Sequence, residues 1–67
     1  MTHSKLRELR LSRGLSQEEL AHEAGIDRTY VSSCERGKRN IELLNIHRLA
    51  TVLGVSPDQL LKPPKAT

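Results

Sequence analysis

The chain of 67 residues has almost no aromatic side chains and a single cysteine. Tyr30 is the one aromatic residue, because the sequence contains no tryptophan and no phenylalanine. A core must therefore be built from Leu, Ile, Val and Ala, a composition that suits packed helices better than a sheet. Cys34 has no second cysteine with which to form an internal disulfide. We therefore expect a protein of the reducing cytoplasm.

Long apolar runs, metal-ligand clusters and catalytic arrangements are also missing. No apolar run exceeds two residues, so we expect neither a membrane span nor a signal peptide. His3, His22 and His47 are scattered and have no cysteine pair near them, and we expect no metal and no cofactor. The sequence has no Ser-His-Asp or Cys-His arrangement and no phosphate-binding glycine loop, which argues against an enzyme.

Basic residues outnumber acidic residues by 11 to 8, which gives a net charge of +3. Arg36, Lys38 and Arg39 fall within four consecutive positions, and the first segment carries further basic residues. A basic surface on a small domain suits a polyanionic partner, although an ordinary solvated surface explains the charges equally well.

Helical spacing of apolar residues recurs five times, and proline occurs only near the C-terminal end. The pattern predicts one all-α domain, a compact five-helix bundle. Ser16 and Glu19 form a capping box at the start of the second helix, and Asp27 caps the third. On the fourth helix, an apolar stripe begins at Leu43 and ends at Leu53. The predicted helices cover about 4–13, 17–24, 28–36, 43–53 and 57–61, with an extended tail over 62–67.

The stretch from Gln17 to Arg36 predicts two short helices joined by a tight turn. Ala21 must be small because the two helices cross closely there, and Gly25 supplies the positive φ of the turn. The outward positions of the second of these helices are small and polar, with an arginine at the N-terminal end, which fits the major groove of DNA. These outward residues are Arg28, Thr29, Ser32 and Ser33.

Three motifs in this stretch agree with one family. Residues 15–21 (LSQEELA), 24–26 (AGI) and 35–37 (ERG) match the pattern of phage-repressor and Cro-type (XRE) helix-turn-helix regulators. The chain resembles that family over about residues 4–61, which implies a lambda-repressor-like DNA-binding domain. The resemblance implies a sequence-specific transcriptional regulator that binds inverted-repeat operators in double-stranded DNA as a homodimer. It also implies a bacterial protein that is associated with the nucleoid when bound.

A narrower resemblance is carried by residues 27–32 (DRTYVS) and 36–40 (RGKRN), which are similar to the controller proteins of restriction–modification systems. An antitoxin that autoregulates its operon and a phage-type repressor would use the same fold, and both remain alternatives. A pure protein-interaction module would leave the polar outward face of the third helix without a purpose.

The resemblance and the side-chain chemistry assign expected DNA contacts, although each of these side chains can also be merely solvated. Arg28 can donate two hydrogen bonds to guanine O6 and N7, and Thr29 can contact a base edge or a thymine methyl group. Ser32 or Ser33 can reach a base or a phosphate. The residues expected at the DNA backbone or minor groove are Gln17, Tyr30, Lys38, Arg39, Asn40 and Arg10.

Other residues have structural expectations. Arg10 and Glu35 fall on otherwise inward faces, and the resemblance implies that they pair across the first and third helices. Tyr30 is expected either to stack on DNA or to cover the helix packing. Cys34 is expected to be a small buried hydrophobe. Glu42 departs from the family pattern, which often has Ser or Thr at this cap; a carboxylate suits the helix N-terminus but would repel DNA.

A domain of this size buries only a modest fraction of its surface and should gain stability from a second copy. Because the third helix must stay free for DNA, the dimer interface is expected on the fourth and fifth helices. The residues predicted there are Leu53, Val55, Leu60 and Leu61.

Overall fold

The computed structural model describes residues 4–61, apart from the side chain of Leu61, and the regular structure in that range is entirely helical. The helices are α1 (Lys5–Ser12), α2 (Gln17–Ala24), α3 (Arg28–Glu35), α4 (Leu43–Leu53) and α5 (Asp58–Leu61). This confirms the predicted all-α bundle. The bounds of α2 and α4 are as predicted, and the other helices differ by one residue at one end or both. The predicted tail over 62–67 lies outside the described residues. No described helix is long and apolar enough to cross a membrane.

Side-chain caps set the first residues of α1, α2 and α3. Ser4 Oγ accepts a hydrogen bond from the backbone N–H of Arg7 at 3.0 Å. Ser16 and Glu19 form the predicted capping box, in which each side chain accepts a hydrogen bond from the other residue's backbone N–H. Each cap satisfies a backbone donor that the helix itself leaves without a partner. Glu42 precedes α4 without making a side-chain cap hydrogen bond.

A glycine turn sets the direction of α3 relative to α2. Gly25 has φ = 72°, and its backbone N–H donates to the carbonyls of Ala21 and His22. The N–H of Ile26 also returns to the Ala21 carbonyl, at 2.9 Å, which closes the end of α2. Ala21 is only 3% exposed, which agrees with the prediction that a small residue is needed where the helices cross.

The core lies between α2, α3 and α4. Its fully buried side chains are Leu20 from α2, Val31 from α3, and Leu49 and Leu53 from α4. Leu6 of α1 joins the same cluster. Because α4 packs on α2, while α3 packs on α2 and α1, the outer side of α3 remains uncovered.

Candidate nucleic-acid interface

The outward face of α3 carries the four side chains predicted to read DNA bases. Arg28 and Thr29, in the first turn, are exposed, and Ser32 and Ser33, one turn later, are partly exposed. Residues four positions apart lie above one another on a helix, so the four side chains share one side. Asp27 Oδ1 accepts the backbone N–H of Thr29 at 2.8 Å and holds the first turn of the helix.

The opposite face of α3 is packed into the domain. Val31 is completely buried, while Tyr30 is 8% and Glu35 4% exposed. Rotating the helix about its axis would bring polar side chains into the core and expose these residues. The packing therefore gives α3 a single orientation, with its polar face toward solvent.

A buried ion pair ties the end of α3 to α1, as predicted. Arg10 Nε donates to Glu35 Oε2 at 2.7 Å, and Arg10 Nη2 donates to Glu35 Oε1 at 2.9 Å. Arg10 Nη1 donates to the Leu15 carbonyl at 2.9 Å, and Gln17 Nε2 donates to Glu35 Oε1 at 3.1 Å. The hydrogen bonds to Glu35 raise the pKa of Arg10. We call Arg10, Glu35, Gln17 and the Leu15 carbonyl the Arg10 cluster; it joins α1, the start of α2 and the end of α3.

The Arg10 cluster engages two side chains that are also expected at the DNA backbone, Arg10 and Gln17. Arg10 is 7% exposed, and its Nε, Nη1 and Nη2 groups each donate within the domain. A guanidinium carries five N–H donors, so one hydrogen on each of Nη1 and Nη2 is left, and the contact of Arg10 with the DNA backbone stays a prediction. Gln17 is half-buried and uses one Nε2 hydrogen for Glu35, while an amide nitrogen carries two. Its contact with a phosphate stays a prediction.

Tyr30 covers the helix packing. The ring is 8% exposed, and its hydroxyl accepts the backbone N–H of Glu42 at 2.8 Å. The Arg39 guanidinium lies over the ring, 5.0 Å from the centroid. The side chain therefore links α3 to the loop and to the start of α4, and the expected contact of Tyr30 with DNA stays a prediction.

The loop after α3 places positive charge beside the outward face of that helix. Lys38, Arg39 and Asn40 are all exposed, as is Arg36 before them. The backbone N–H of Lys38 donates to the Ser33 carbonyl at 2.9 Å, which holds the loop against the end of α3. Exposed cations next to a polar helix face suit a polyanion such as the DNA backbone. The individual contacts of Lys38, Arg39 and Asn40 stay predictions.

Comparison with known proteins assigns this arrangement to a family. The sequence profile of the helix-turn-helix family matches residues 6–60. The chain belongs to the helix-turn-helix family. A curated relative from Neisseria meningitidis serogroup B, described as a hypothetical transcription factor, is 53% identical over 60 residues. That match covers 90% of this chain and 57% of the relative, so the chain spans just over half the relative's length.

Solved structures of two regulators share this helix-turn-helix fold. The restriction–modification controller protein C.AhdI from Aeromonas hydrophila superposes with a TM-score of 0.80 and 55% identity, covering 84% of this chain and 85% of that one. SinR, a master regulator for biofilm formation solved in complex with DNA, superposes with a TM-score of 0.81 and 34% identity, covering 85% of this chain and 92% of that one. The predicted resemblance to this family, and within it to controller proteins, is confirmed.

Cys34 of this helix-turn-helix protein is a free, partly buried thiol. Burial raises the pKa of the thiol, although the charge of Arg39 and a hydrogen bond with Tyr30 act in the opposite direction. A raised pKa keeps the sulfur protonated and therefore weakly nucleophilic. The thiol suits the packing role expected from the sequence.

The residues predicted at a dimer interface do not form one exposed surface. Leu53 is 1% exposed and belongs to the core of its own helix-turn-helix domain, so the prediction is wrong for this residue. Val55 and Leu60 are half-buried and pack against the same core. The side chain of Leu61 lies outside the described residues. The C-terminal half of α4 uses its apolar stripe to pack on α2, and little of that stripe is left for a partner.

The sequence analysis missed a second apolar feature, which lies at the other end of α4. Leu43 and Leu44 are 67% and 64% exposed. The sequence placed Leu43 on the buried stripe, but the first residue of α4 that the core buries is Ile46, at 3% exposed. Adjacent positions on this helix can both be buried, since Leu49 and Ala50 are 0% and 2% exposed, so the apolar doublet by itself did not reveal that Leu43 and Leu44 lie outside the core.

Proposed function

We propose that this helix-turn-helix protein is a sequence-specific transcriptional regulator whose α3 enters the major groove of double-stranded DNA. The observation that carries the proposal is the division of α3 into a buried face and a free polar face. The major groove is about 12 Å wide and admits one α-helix. The free face presents donors and acceptors suited to base edges. Its residues are Arg28, Thr29, Ser32 and Ser33.

Two groups of contacts would have different roles in the complex. Arg28, at the N-terminal end of α3, can donate to guanine O6 and N7 together and so distinguish one base pair from the others. Contacts to phosphates set the position of the protein on the duplex and carry no sequence information. The side chains available for phosphates are Gln17, Lys38, Arg39 and Asn40.

The working unit that we propose is a two-fold symmetric dimer on an inverted repeat. One domain reads few base pairs, and a pair reads two half-sites separated by roughly 10 base pairs centre to centre. Leu43 and Leu44 are the exposed leucines of α4, while Val55 and Leu60 follow its other end. A two-fold axis across α4 would make the two copies antiparallel, so the start of one α4 would face the end of the other. In this arrangement Leu43 and Leu44 replace Leu53 at the centre of the proposed interface.

The class of regulator that we propose is a restriction–modification controller acting on nucleoid DNA in the bacterial cytoplasm. The identity of 55% with C.AhdI over 84% of this chain supports this class. The motifs at 27–32 and 36–40, which carried the narrower resemblance, include the base-reading arginine and the basic loop.

Selection from random duplexes tests the reading function. We expect an enriched inverted repeat, and Arg28→Ala should weaken binding by about 5- to 150-fold for each half-site and relax preference at one base position in each half-site. Arg13→Ala is the matched control, because Arg13 is an exposed arginine whose guanidinium lies against Gly54, at the C-terminal end of α4. Selection that enriches no motif, or an Arg28 variant with full base discrimination, would contradict the proposal.

Sedimentation tests the dimer. Each dimer contains two copies of Leu44, so Leu44→Gln should weaken self-association at least about tenfold. Leu11→Gln is the control, since Leu11 is also an exposed leucine, at 52%, but lies on α1. Equal association constants for the two variants would exclude the start of α4 from the interface.

A further inference from the structure

A polar cleft opens between α1 and the C-terminal end of α3, apart from the residues that are predicted to read bases. Its volume is about 340 Å³. Arg7 of α1 and Arg36 after α3 line it, together with Gln17 at the start of α2. Two carboxylates, Glu8 and Glu35, also line the cleft. Arg7 has no role in the contacts proposed above, and Arg36 entered them only as one of the exposed cations near the end of α3.

The charges around the cleft favour an anion. The Glu35 carboxylate is already bound by Arg10 through two hydrogen bonds, at 2.7 and 2.9 Å, so its negative charge is compensated within the domain. Arg7 and Arg36 are both exposed. Counting Arg10 behind the lining, three guanidinium groups face two carboxylates, and the excess charge is positive.

The cleft lies where a DNA backbone would pass. A helix rises about 1.5 Å per residue, so Arg36 is roughly 12 Å along the axis from Arg28. When the first turn of α3 reads base edges, its last turn reaches the edge of a groove about 12 Å wide, where the phosphates run. Gln17 lies on the same cleft and retains one Nε2 hydrogen beyond the one given to Glu35.

We propose that this cleft binds a phosphate of the DNA backbone, with Arg7 and Arg36 as its cationic groups and Gln17 as a further donor. The assignment rests on the proposed function, and it extends the DNA-contacting surface from the helix-turn-helix unit to α1. The contact is independent of base sequence, because a phosphate is the same at every base pair.

The salt dependence of DNA binding tests the cleft. Arg7→Gln removes one phosphate contact from each subunit and therefore two from the dimer, so the slope of log K against log salt concentration should become less steep by about 1.8. Between 50 and 200 mM salt, the variant should therefore lose about 12-fold less affinity than the wild type. Affinity for the selected duplex and for a random duplex should fall by the same factor. Arg36→Gln should behave in the same way.

Arg13→Gln is the control, because it removes the same charge from the end of α1, where the guanidinium lies against Gly54. Its slope should equal that of the wild type. If Arg7→Gln and Arg13→Gln change the slope equally, the effect is one of overall charge and the cleft is not a phosphate site. Urea unfolding midpoints equal to wild type for Arg7→Gln, Arg36→Gln and Arg13→Gln establish that the folding of these variants is intact. If both cleft variants show a changed salt slope together with a shifted unfolding midpoint, the assignment is overturned.

These results, together with one further measurement, separate the possible failures. If Arg28→Ala loses base preference while Arg7→Gln and Arg36→Gln keep the wild-type slope, the cleft proposal fails and the proposed function stands. A wild-type protein that binds duplexes without preference overturns the proposed function alone, and one that binds no duplex overturns both. Inorganic phosphate, titrated into the DNA-free protein and followed by NMR of the amides lining the cleft, should not bind saturably at millimolar concentration. Saturable binding there, together with a wild-type salt slope for Arg7→Gln and Arg36→Gln, would assign the cleft to a free anion instead of the DNA backbone.

Discussion

Replacing Glu35 by glutamine measures how much the Arg10 cluster contributes to the stability of the domain. The carboxylate is 4% exposed and accepts two hydrogen bonds from Arg10 and one from Gln17. In Glu35→Gln an NH₂ group would face the donors of Arg10, and the guanidinium charge would stay buried without a counter-ion. An unpaired buried charge is strongly destabilising, because the low-dielectric interior does not solvate it.

The structure places the expected loss of folding stability in Glu35→Gln at the lower end of the range that is usual for a broken buried ion pair. Removing one partner of a buried pair costs about 3–5 kcal/mol. Arg10 keeps its hydrogen bond to the Leu15 carbonyl, and glutamine retains one acceptor oxygen, so we expect about 3 kcal/mol. A chain of 67 residues has a total stability of about 3–10 kcal/mol, so this is a large share. Arg10→Met combined with Glu35→Leu should recover at least half of the loss, since no charge is then left unpaired.

Urea unfolding followed by circular dichroism is the assay, at one protein concentration because self-association would add to the apparent stability. With a slope of about 1 kcal/mol per molar urea, the Glu35→Gln midpoint should fall by about 3 M. Glu18→Gln, an exposed carboxylate of α2, is the control and should stay within about 0.5 kcal/mol of the wild type. Wild-type midpoints for both Glu35→Gln and Arg10→Met would refute the reasoning.

Three further predictions concern the cap of α4, a glycine turn and the thiol. Glu42→Ser should stabilise the domain by about 0.5–1 kcal/mol, because serine can cap α4. It should also tighten DNA binding, because the variant lacks a charge that repels phosphates. An unchanged unfolding midpoint and an unchanged Kd for DNA would contradict this prediction. Gly54→Ala places a Cβ 2.9 Å from Arg13 Nη2, whereas the Cβ of Gly37→Ala meets no atom within 4 Å. Because both sites have positive φ and the arginine can move, each substitution should lower the stability by about 1–2 kcal/mol. A much larger loss of stability for Gly54→Ala would mean that Arg13 is held rigidly. Because folding raises the pKa of Cys34, the thiol ionises at a lower pH in the unfolded chain than in the folded protein. The unfolding midpoint should therefore fall as the pH rises past 9.0, and Cys34→Ala should remove that part of the fall.

Local sequence alone determined where the helices lie. The bounds of α2 follow from the Ser16 capping box and from Gly25, and those signals act through hydrogen bonds to residues at most five positions away. The same holds for Asp27, whose carboxylate caps α3 two residues on. The polar face of α3 was also predictable, because helical periodicity places the inward residues on the opposite side.

Only the tertiary structure decided how several side chains on the edges of those helices are used. Tyr30 and Arg10 are polar enough to suit DNA, but their partners are Glu42 and Glu35, 12 and 25 residues away along the chain. Leu43 fits the apolar period of α4 and is nevertheless exposed, because the neighbouring helices do not cover the first turn of α4. Periodicity specifies the direction of a side chain relative to its own helix axis. Whether another element lies in that direction depends on how all the helices pack, and that packing is a property of the whole domain.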